Sequence, residues 1–379
     1  MKLTLFVNHA CNLRCIYCYT GEKFHRPMPF DLAKRAIDFG MDEAALPSMQ
    51  ISFFGGEPLM EPNLVDRVAT WAKARAEERK FRIFFAIATN GTLLDDERLA
   101  ILERHRFTVQ VSLDGGRRAQ EATRPRADGG SSYDEVAKGV ERLVARGFDV
   151  RVVSVIDPAN AAFLADSFES VRALGVKRIQ FSPNYSGAWD DAACERFEVA
   201  LKELGDRYIA HFRAHRDVRL DPLNGKIVTH LARGYQKNEL CKFGQQDIAV
   251  SPRGNLYPCD RLVGEDEASD DICIGNLDEG LNVARRDALI VRKNTPEMEC
   301  ATCEFRPRCM YWCGCANYET TGHIDQTGPI VCWFERSFIA ESDRVATILY
   351  GEKNATFLRR FYVPEAPIPT LRPLDPLAT

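Results

Sequence analysis

Residues 11–18 read Cys-Asn-Leu-Arg-Cys-Ile-Tyr-Cys, which places Cys11, Cys15 and Cys18 at a C-x-x-x-C-x-x-C spacing. Three cysteines from one tight loop suit an iron–sulfur cubane left one ligand short, because such a cluster takes four ligands. The iron without a cysteine is then open to something other than protein, and chemistry can occur there. Zinc and a disulfide framework are the competing readings. Zinc usually takes a fourth Cys or His, and the nearest histidines, His9 and His25, lie outside the compact triplet.

Outward from this loop, apolar patterning alternates between strand and helix periods. Strands are predicted at 3–7, 50–54, 83–88, 109–113, 150–156 and 178–181, and helices between them at 31–45, 63–78, 95–104, 133–145 and 161–174. This α/β order predicts a parallel sheet with helices outside it, either doubly wound or a barrel, and periodicity does not choose between them. The cysteine loop follows the first strand directly. A closing helix is predicted at 337–350, followed by a tail with Pro364, Pro367, Pro369, Pro373 and Pro376 that reads as extended.

The chain has 379 residues, 45% hydrophobic and 27% charged, enough for one large domain and a smaller one. Fifty Lys and Arg against 54 Asp and Glu give a net charge of −4, which provides no global field for nucleic acid or an anionic membrane. The opening residues read as a strand rather than a signal peptide, and no run approaches the roughly 18 apolar residues of a membrane span. A cytoplasmic location is expected. In a reducing compartment, thirteen cysteines point to metal ligands rather than disulfides.

The triplet, with Tyr17 just before its last cysteine, resembles that of the radical S-adenosylmethionine (radical SAM) superfamily. The resemblance implies a partial (β/α)6 TIM-like barrel with the active site at the C-terminal strand ends. It also implies a [4Fe-4S] cluster whose unique iron is chelated by SAM, and a 5′-deoxyadenosyl radical that abstracts hydrogen from a substrate. After strand two, Gly55-Gly56-Glu57-Pro58 resembles the family's glycine-rich motif, which takes up the SAM ammonium; as a bare pattern it is only a turn. Asn90, in Thr89-Asn90-Gly91, resembles the segment near the SAM ribose, or else is a helix cap or turn. Ser112 and Arg124 match positions that hold the SAM carboxylate in relatives, which fits an Arg–carboxylate pair. Relatives often carry His-Asp shortly before that arginine, whereas this chain has Gln120-Glu121. The competing reading is a solvated loop arginine among Arg117, Arg118 and Arg126.

Cysteine density changes abruptly in the second half. Between Cys18 and Cys241 only Cys194 occurs, and it reads as a plain buried thiol. Cys241 is followed by twelve residues, Gly254, four residues and Cys259; then come Cys300, Cys303, Cys309, Cys313 and Cys332. Taken alone, Cys300 and Cys303 also fit a zinc ribbon. The seven-cysteine order closely resembles the SPASM domain, the C-terminal Cys-rich extension with auxiliary iron–sulfur clusters found on peptide-modifying members. The resemblance implies two auxiliary [4Fe-4S] clusters, three in all. One would take Cys241, Cys259 and Cys313; the other would take Cys300, Cys303, Cys309 and Cys332. In sulfatase-maturing members an extra cysteine upstream completes the first of these, but 235–240 contains none here. That cluster is then open at one iron or completed by Cys315 or Cys273. Asp260, next to Cys259, resembles the proposed general base of sulfatase maturation; the alternative is an acid that caps a turn.

The expected organisation is a barrel over 1–215, a bridge at 216–240, the auxiliary-cluster domain at 241–335, and a closing helix and tail at 336–379. The leading functional expectation is a radical SAM/SPASM oxidoreductase or maturase that oxidises or cross-links a residue of a ribosomally made peptide or a protein. Formylglycine formation as in anaerobic sulfatase maturation, and action on a small molecule, are alternatives. A non-catalytic iron–sulfur electron carrier is a reading of a different class, and it has no use for the SAM-site constellation. The expected partners are the peptide or protein substrate and a flavodoxin- or ferredoxin-type reductant, with no nucleic acid and no membrane. Only ten residues precede Cys11, so leader recognition is expected from a separate protein or another surface.

Overall fold

Leu3, Leu5 and Val7 alternate with Thr4, Phe6 and Asn8, and this alternation becomes the first strand, β1 (Lys2–Asn8). In the computed structural model, described for residues 1–237, 239–268, 271–295 and 297–362, strand and helix then alternate as patterned. The elements are α1 (Phe30–Glu43), β2 (Ser48–Gly55), α2 (Pro62–Arg79), β3 (Arg82–Thr89), α3 (Asp96–Arg104), β4 (Thr108–Ser112), a short α4 (Arg117–Thr123), α5 (Tyr133–Ala145) and β5 (Val150–Ile156). They continue with α6 (Leu164–Ala173), β6 (Arg178–Pro183), α7 (Asp191–Arg213), β7 (Arg219–Asp221) and α8 (Leu223–Leu231). The cysteine-rich half adds β8 (Asp247–Val250), β9 (Asn255–Tyr257), β10 (Gly275–Asn276), β11 (Gly280–Leu281), α9 (Val283–Asn294), α10 (Met298–Ala301), α11 (Gly314–Thr321), α12 (Pro329–Gly351) and α13 (Ala355–Tyr362).

The chain divides into two compact units. The first comprises Met1–Leu113, Gln120–Val152 and Cys241–Thr295; the second comprises Asp114–Ala119, Val153–Leu240 and the chain from Pro296 onward. Within the first, strands run in the order β11-β10-β9-β8-β1-β2-β3-β4. β1 to β4 are mutually parallel, as expected of βα repeats, and β8 joins β1 in parallel with Lys2 opposite Asp247 and Leu5 opposite Val250. β9, β10 and β11 continue the sheet antiparallel. Four residues at 247–250 are too few to announce a strand by period; pairing with β1 makes them one. Helix packing on the outward side is close: a Cβ on Gly40 of α1 would stand 2.8 Å from the Met49 sulfur.

In the second unit β6 and β7 pair in parallel, and an aromatic cluster joins the long helices α7 and α12. Fully buried Phe334 meets Trp189, Phe197 and Trp333 with ring centroids 4.9, 4.8 and 4.7 Å apart. α12 begins well before the predicted 337, because Pro329 starts the helix at a position where its missing N–H costs nothing. Cys332 consequently lies on the first turn of a helix rather than in a loop. Among the described residues no helix is long and apolar enough to cross a membrane. The proline-rich tail from Pro364 lies outside the described residues. Phe334→Ala is expected to cost about 3–5 kcal/mol, read as a lower urea midpoint with little change in far-UV circular dichroism.

Candidate active site

The end of β1 and the end of β2 are locked together through main-chain groups. Pairing runs in register to Phe6 opposite Phe54, then shifts so that Asn8 meets Gly55. Gly56 N donates to Asn8 O at 2.8 Å and Glu57 N to Ala10 O at 2.9 Å. Both glycines are required by space: a Cβ on Gly55, whose φ is +135°, would lie 2.3 Å from Asn8 O, and one on Gly56 would lie 2.2 Å from Ala10 O. The sequence Gly55-Gly56-Glu57 thus seats the segment entering the cysteine loop.

That loop is stitched along its other side to residues 123–127. Arg14 N donates to Pro125 O at 2.8 Å, Ile16 N to Thr123 O at 3.0 Å, and Ala127 N to Asn12 O at 3.0 Å. The same stitching delivers Arg124 to Tyr17, whose hydroxyl accepts from Nη1 at 2.7 Å. Arg124 is nearly fully buried, not a solvated loop arginine. Gln120 is fully buried and donates to Ser132, whose hydroxyl in turn donates to Arg124 O at 2.7 Å. In this chain Gln120 therefore supports the arginine's backbone.

Glu57 is fully buried, and its carboxylate accepts from Leu59 N at 2.9 Å, Thr89 Oγ1 at 2.8 Å and Asn90 N at 2.6 Å. Burial pushes its pKa above the usual carboxylate value, against those three hydrogen bonds. Asn90 bonds onward to Asn12 Oδ1 at 2.8 Å and approaches the Cys11 sulfur at 3.7 Å. Asn12, Thr89 and Thr92 complete this lattice, with Thr92 bonded to both Asn90 and Asn12. No local signal marks these three as site residues, although Asn12 lies between Cys11 and Cys15 and Thr89 precedes Asn90. Ser112 ends β4, half-buried.

Among the described residues no cysteine is joined in a disulfide. Burial and then the Glu57 charge push the Cys11 thiol up. Burial also opposes ionisation of Cys18, but the Thr20 hydroxyl and Lys23, whose Nζ donates at 3.0 Å, overcome it and bring that thiol below its ordinary value. Three thiols on one loop, one of them with its ionisation eased by Thr20 and Lys23, and a buried arginine bonded to Tyr17 of the same loop, fit a cluster with SAM at its open iron. Among the described residues no three His, Cys, Asp or Glu side chains converge as ligands of a single ion; a cubane does not require that, since its thiolates bind separate irons.

Asp260 stands elsewhere in the first unit. Its Oδ2 accepts from Lys2 Nζ at 2.9 Å, and Asp247 lies 3.5 Å from the same nitrogen. Burial raises the Asp260 pKa, but the Lys2 ammonium wins and holds it below the usual range. Asp247 has the opposite outcome, pushed up to about 6 mainly by burial. Lys2 is at the start of β1 and the cysteine loop follows its end, so a seven-residue strand of about 23 Å separates the two groups along the chain. The turn after Asp260 bridges this gap: the Arg261 guanidinium packs 5.3 Å from the Tyr19 ring centroid, Glu265 accepts from Glu22 N at 2.8 Å, and Gly264 O meets His9 at 3.2 Å.

Of the remaining cysteines, Cys241, Cys259 and Cys273 belong to the first unit, and Cys273 donates to Gly275 O at 3.2 Å. Cys300, Cys303, Cys309, Cys313, Cys315 and Cys332 belong to the second. Cys313 caps α11, with its sulfur 3.5 Å from that of Cys315. Arg336 is drawn to the Cys332 and Cys303 thiols together.

Residues 5–158 match the family described as the Radical SAM superfamily. The chain carries a radical SAM domain. A serine-type anaerobic sulfatase-maturating enzyme of Klebsiella aerogenes is 26% identical over 325 residues, covering 81% of this chain and 78% of that protein. The PqqA peptide cyclase of Gluconobacter oxydans is 24% identical over 349 residues, covering 87% and 90%. Among solved structures, native anSMEcpe with bound AdoMet has a TM-score of 0.77 at 19% identity over 93% of this chain and 99% of that one. Streptococcus suis SuiB bound to precursor peptide SuiA has a TM-score of 0.60 at 14% identity over 87% of this chain and 75% of that one. At these identities the structural likeness is one of fold. The radical SAM domain contains the whole Cys11-to-Arg124 lattice. Gly56→Ala is expected to part the β1 and β2 ends and weaken iron binding by the triplet on the order of 10–100-fold, measured by iron retention after anaerobic reconstitution and desalting.

Proposed function

We propose that this radical SAM enzyme abstracts hydrogen from a residue of a peptide or protein and yields an oxidised or cross-linked product, as in ribosomal peptide maturation. The observation that carries the reading is the joining of the Cys11–Cys18 loop to Glu57, Asn90 and the buried Arg124–Tyr17 pair, an arrangement of use to SAM and of none to a mere electron carrier. Cys11, Cys15 and Cys18 hold the first [4Fe-4S] cluster; Tyr17, Gly55, Gly56, Glu57, Asn90, Ser112 and Arg124 hold SAM, with Glu57 also bracing the ends of β2 and β3. Two auxiliary clusters take the ligand sets given above, with Cys315 or Cys273 available to complete the first. When bound, these groups supply a 5′-deoxyadenosyl radical and one-electron acceptors. Asp260, kept ionised by Lys2, accepts the proton that leaves the substrate.

The barrel then occupies 1–215, the bridge 216–240, the auxiliary-cluster domain 241–335 and the closing segment 336–379. Substrate delivery by a separate leader-binding protein and reduction by a flavodoxin or ferredoxin fit a cytoplasmic enzyme. The related sulfatase-maturating enzyme favours a second reading, formylglycine formation, which the missing cysteine in 235–240 weighs against.

Anaerobically reconstituted protein is expected to hold about 12 iron atoms per chain. Changing Cys11, Cys15 and Cys18 together to Ala is expected to remove roughly a third of that iron and all reductive SAM cleavage; SAM cleavage surviving in this variant would sink the reading. Asp260→Asn is expected to keep iron and SAM binding while cutting product by about 10²–10⁴-fold. Deuterium transfer from labelled substrate into 5′-deoxyadenosine should persist, because that step comes before the proton leaves.

A further inference from the structure

Among the described residues of the second unit, one ion pair buried at both ends has no part in the radical chemistry. Lys226 of α8 and Glu335 of α12 meet at 2.6 Å with side chains 1% and 6% exposed. Each also holds one flank of Cys309. Lys226 Nζ donates to Arg308 O at 2.8 Å, and Met310 N donates to Glu335 Oε2 at 2.7 Å. Tyr235 adds a third contact to the ammonium at 3.2 Å. Arg308 is fixed in turn, donating to Lys226 O at 3.0 Å and to both Asp343 oxygens at 2.8 and 2.7 Å. Glu335 lies three residues after Cys332, hence on the same face of α12. The pair therefore touches the peptide groups on both sides of one proposed ligand and shares a helix face with another.

We infer that Lys226 and Glu335 form a charge clamp that positions Cys309 and sets the redox potential of the cluster held by Cys300, Cys303, Cys309 and Cys332. This rests on the ligand assignment proposed above. A buried ion pair gains little net stability over apolar side chains of the same volume, because desolvation offsets the attraction. Cluster potentials, by contrast, respond directly to nearby charge, hydrogen bonding and solvent exclusion. Burial works against the charge on Lys226, but Glu335 and Tyr235 outweigh it and hold the ammonium protonated. The positive end favours the reduced cluster and the carboxylate opposes it, so the balance between them is a control on how readily that cluster takes an electron. Both are positioning residues that act on the cluster through the Cys309 loop.

The test is an anaerobic redox titration of the full-length holoprotein followed by EPR, with iron and sulfide counted in each sample. The signal of this cluster is identified as the one lost in Cys303→Ser. Lys226→Met is expected to shift its midpoint potential negative and Glu335→Gln to shift it positive, while the other signals stay in place. A brace without electrostatic role lowers stability in both variants alike and leaves the potential unmoved; unchanged potentials, or shifts of the same sign, would overturn the inference. If Lys226→Met does not fold, the nearly isosteric Glu335→Gln decides alone: a positive shift supports the clamp and no shift overturns it. If Cys303→Ser changes neither iron content nor EPR, the ligand assignment itself fails and the clamp with it.

Discussion

The candidate site depends on one main-chain junction, the pair of hydrogen bonds from Gly56 N to Asn8 O and from Glu57 N to Ala10 O. Parallel strands emit their loops at a common end, but parallel pairing alone does not bring two loops within hydrogen-bond distance. The register shift at Asn8 and the absence of a Cβ at Gly55 and Gly56 do that. Once the β1 and β2 ends touch, the Glu57 carboxylate reaches the end of β3, and Asn90 there reaches back to the cysteine loop. Three strand ends close into one hydrogen-bonded ring around Cys11.

Buried charge is the second organising theme. Glu57, Arg124 and Lys226 are withdrawn from water and Asp260 is partly so, with its side chain 20% exposed; this is expensive without partners, and each is partnered through an assigned contact. Glu57 spends its carboxylate on neighbouring main-chain and hydroxyl donors; Arg124 engages Tyr17; Asp260 and Lys226 sit in ion pairs. In the first unit these contacts position groups at the cysteine loop and at the foot of β1. In the second they hold the backbone on either side of a single cysteine. Fixed charge placed next to thiols biases both protonation and electron affinity, so the same contacts that order the fold also set its chemistry.

Much of the architecture was legible in the residues. The period-two runs at 83–88, 109–113 and 150–156 and the amphipathic stretch at 133–145 appear as strands and helix with boundaries close to those expected, because each buries one face. What escaped were elements without a period of their own. Residues 247–250 become a strand only by pairing with β1, and α12 starts at Pro329 because a proline can open a helix, while the continuous apolar run Ile330 to Phe334 that follows shows no helical period. Among site residues, Asn12, Thr89 and Thr92 carry no chemical signature in isolation. Asn12 meets Asn90 across 78 residues of chain and Thr89 meets Glu57 across 32, whereas Thr92 meets Asn90 within a single turn, and only the first two contacts need the fold.

By itself the sequence determined which side chains this protein possesses for chemistry and in what order: three closely spaced thiols, a Gly-Gly-Glu turn after the next strand, and a second array of cysteines. Spacing along the chain is covalent, so these survive any uncertainty about folding. Tertiary structure alone decided that Arg124 is buried against Tyr17 rather than solvated, that Gln120 supports its backbone through Ser132, and that Asp260 faces Lys2. It likewise decided that Lys226 and Glu335, separated by 109 residues, meet beside Cys309. Those outcomes turn on which groups lose water together, and burial is a property of packed elements that no local run of residues encodes.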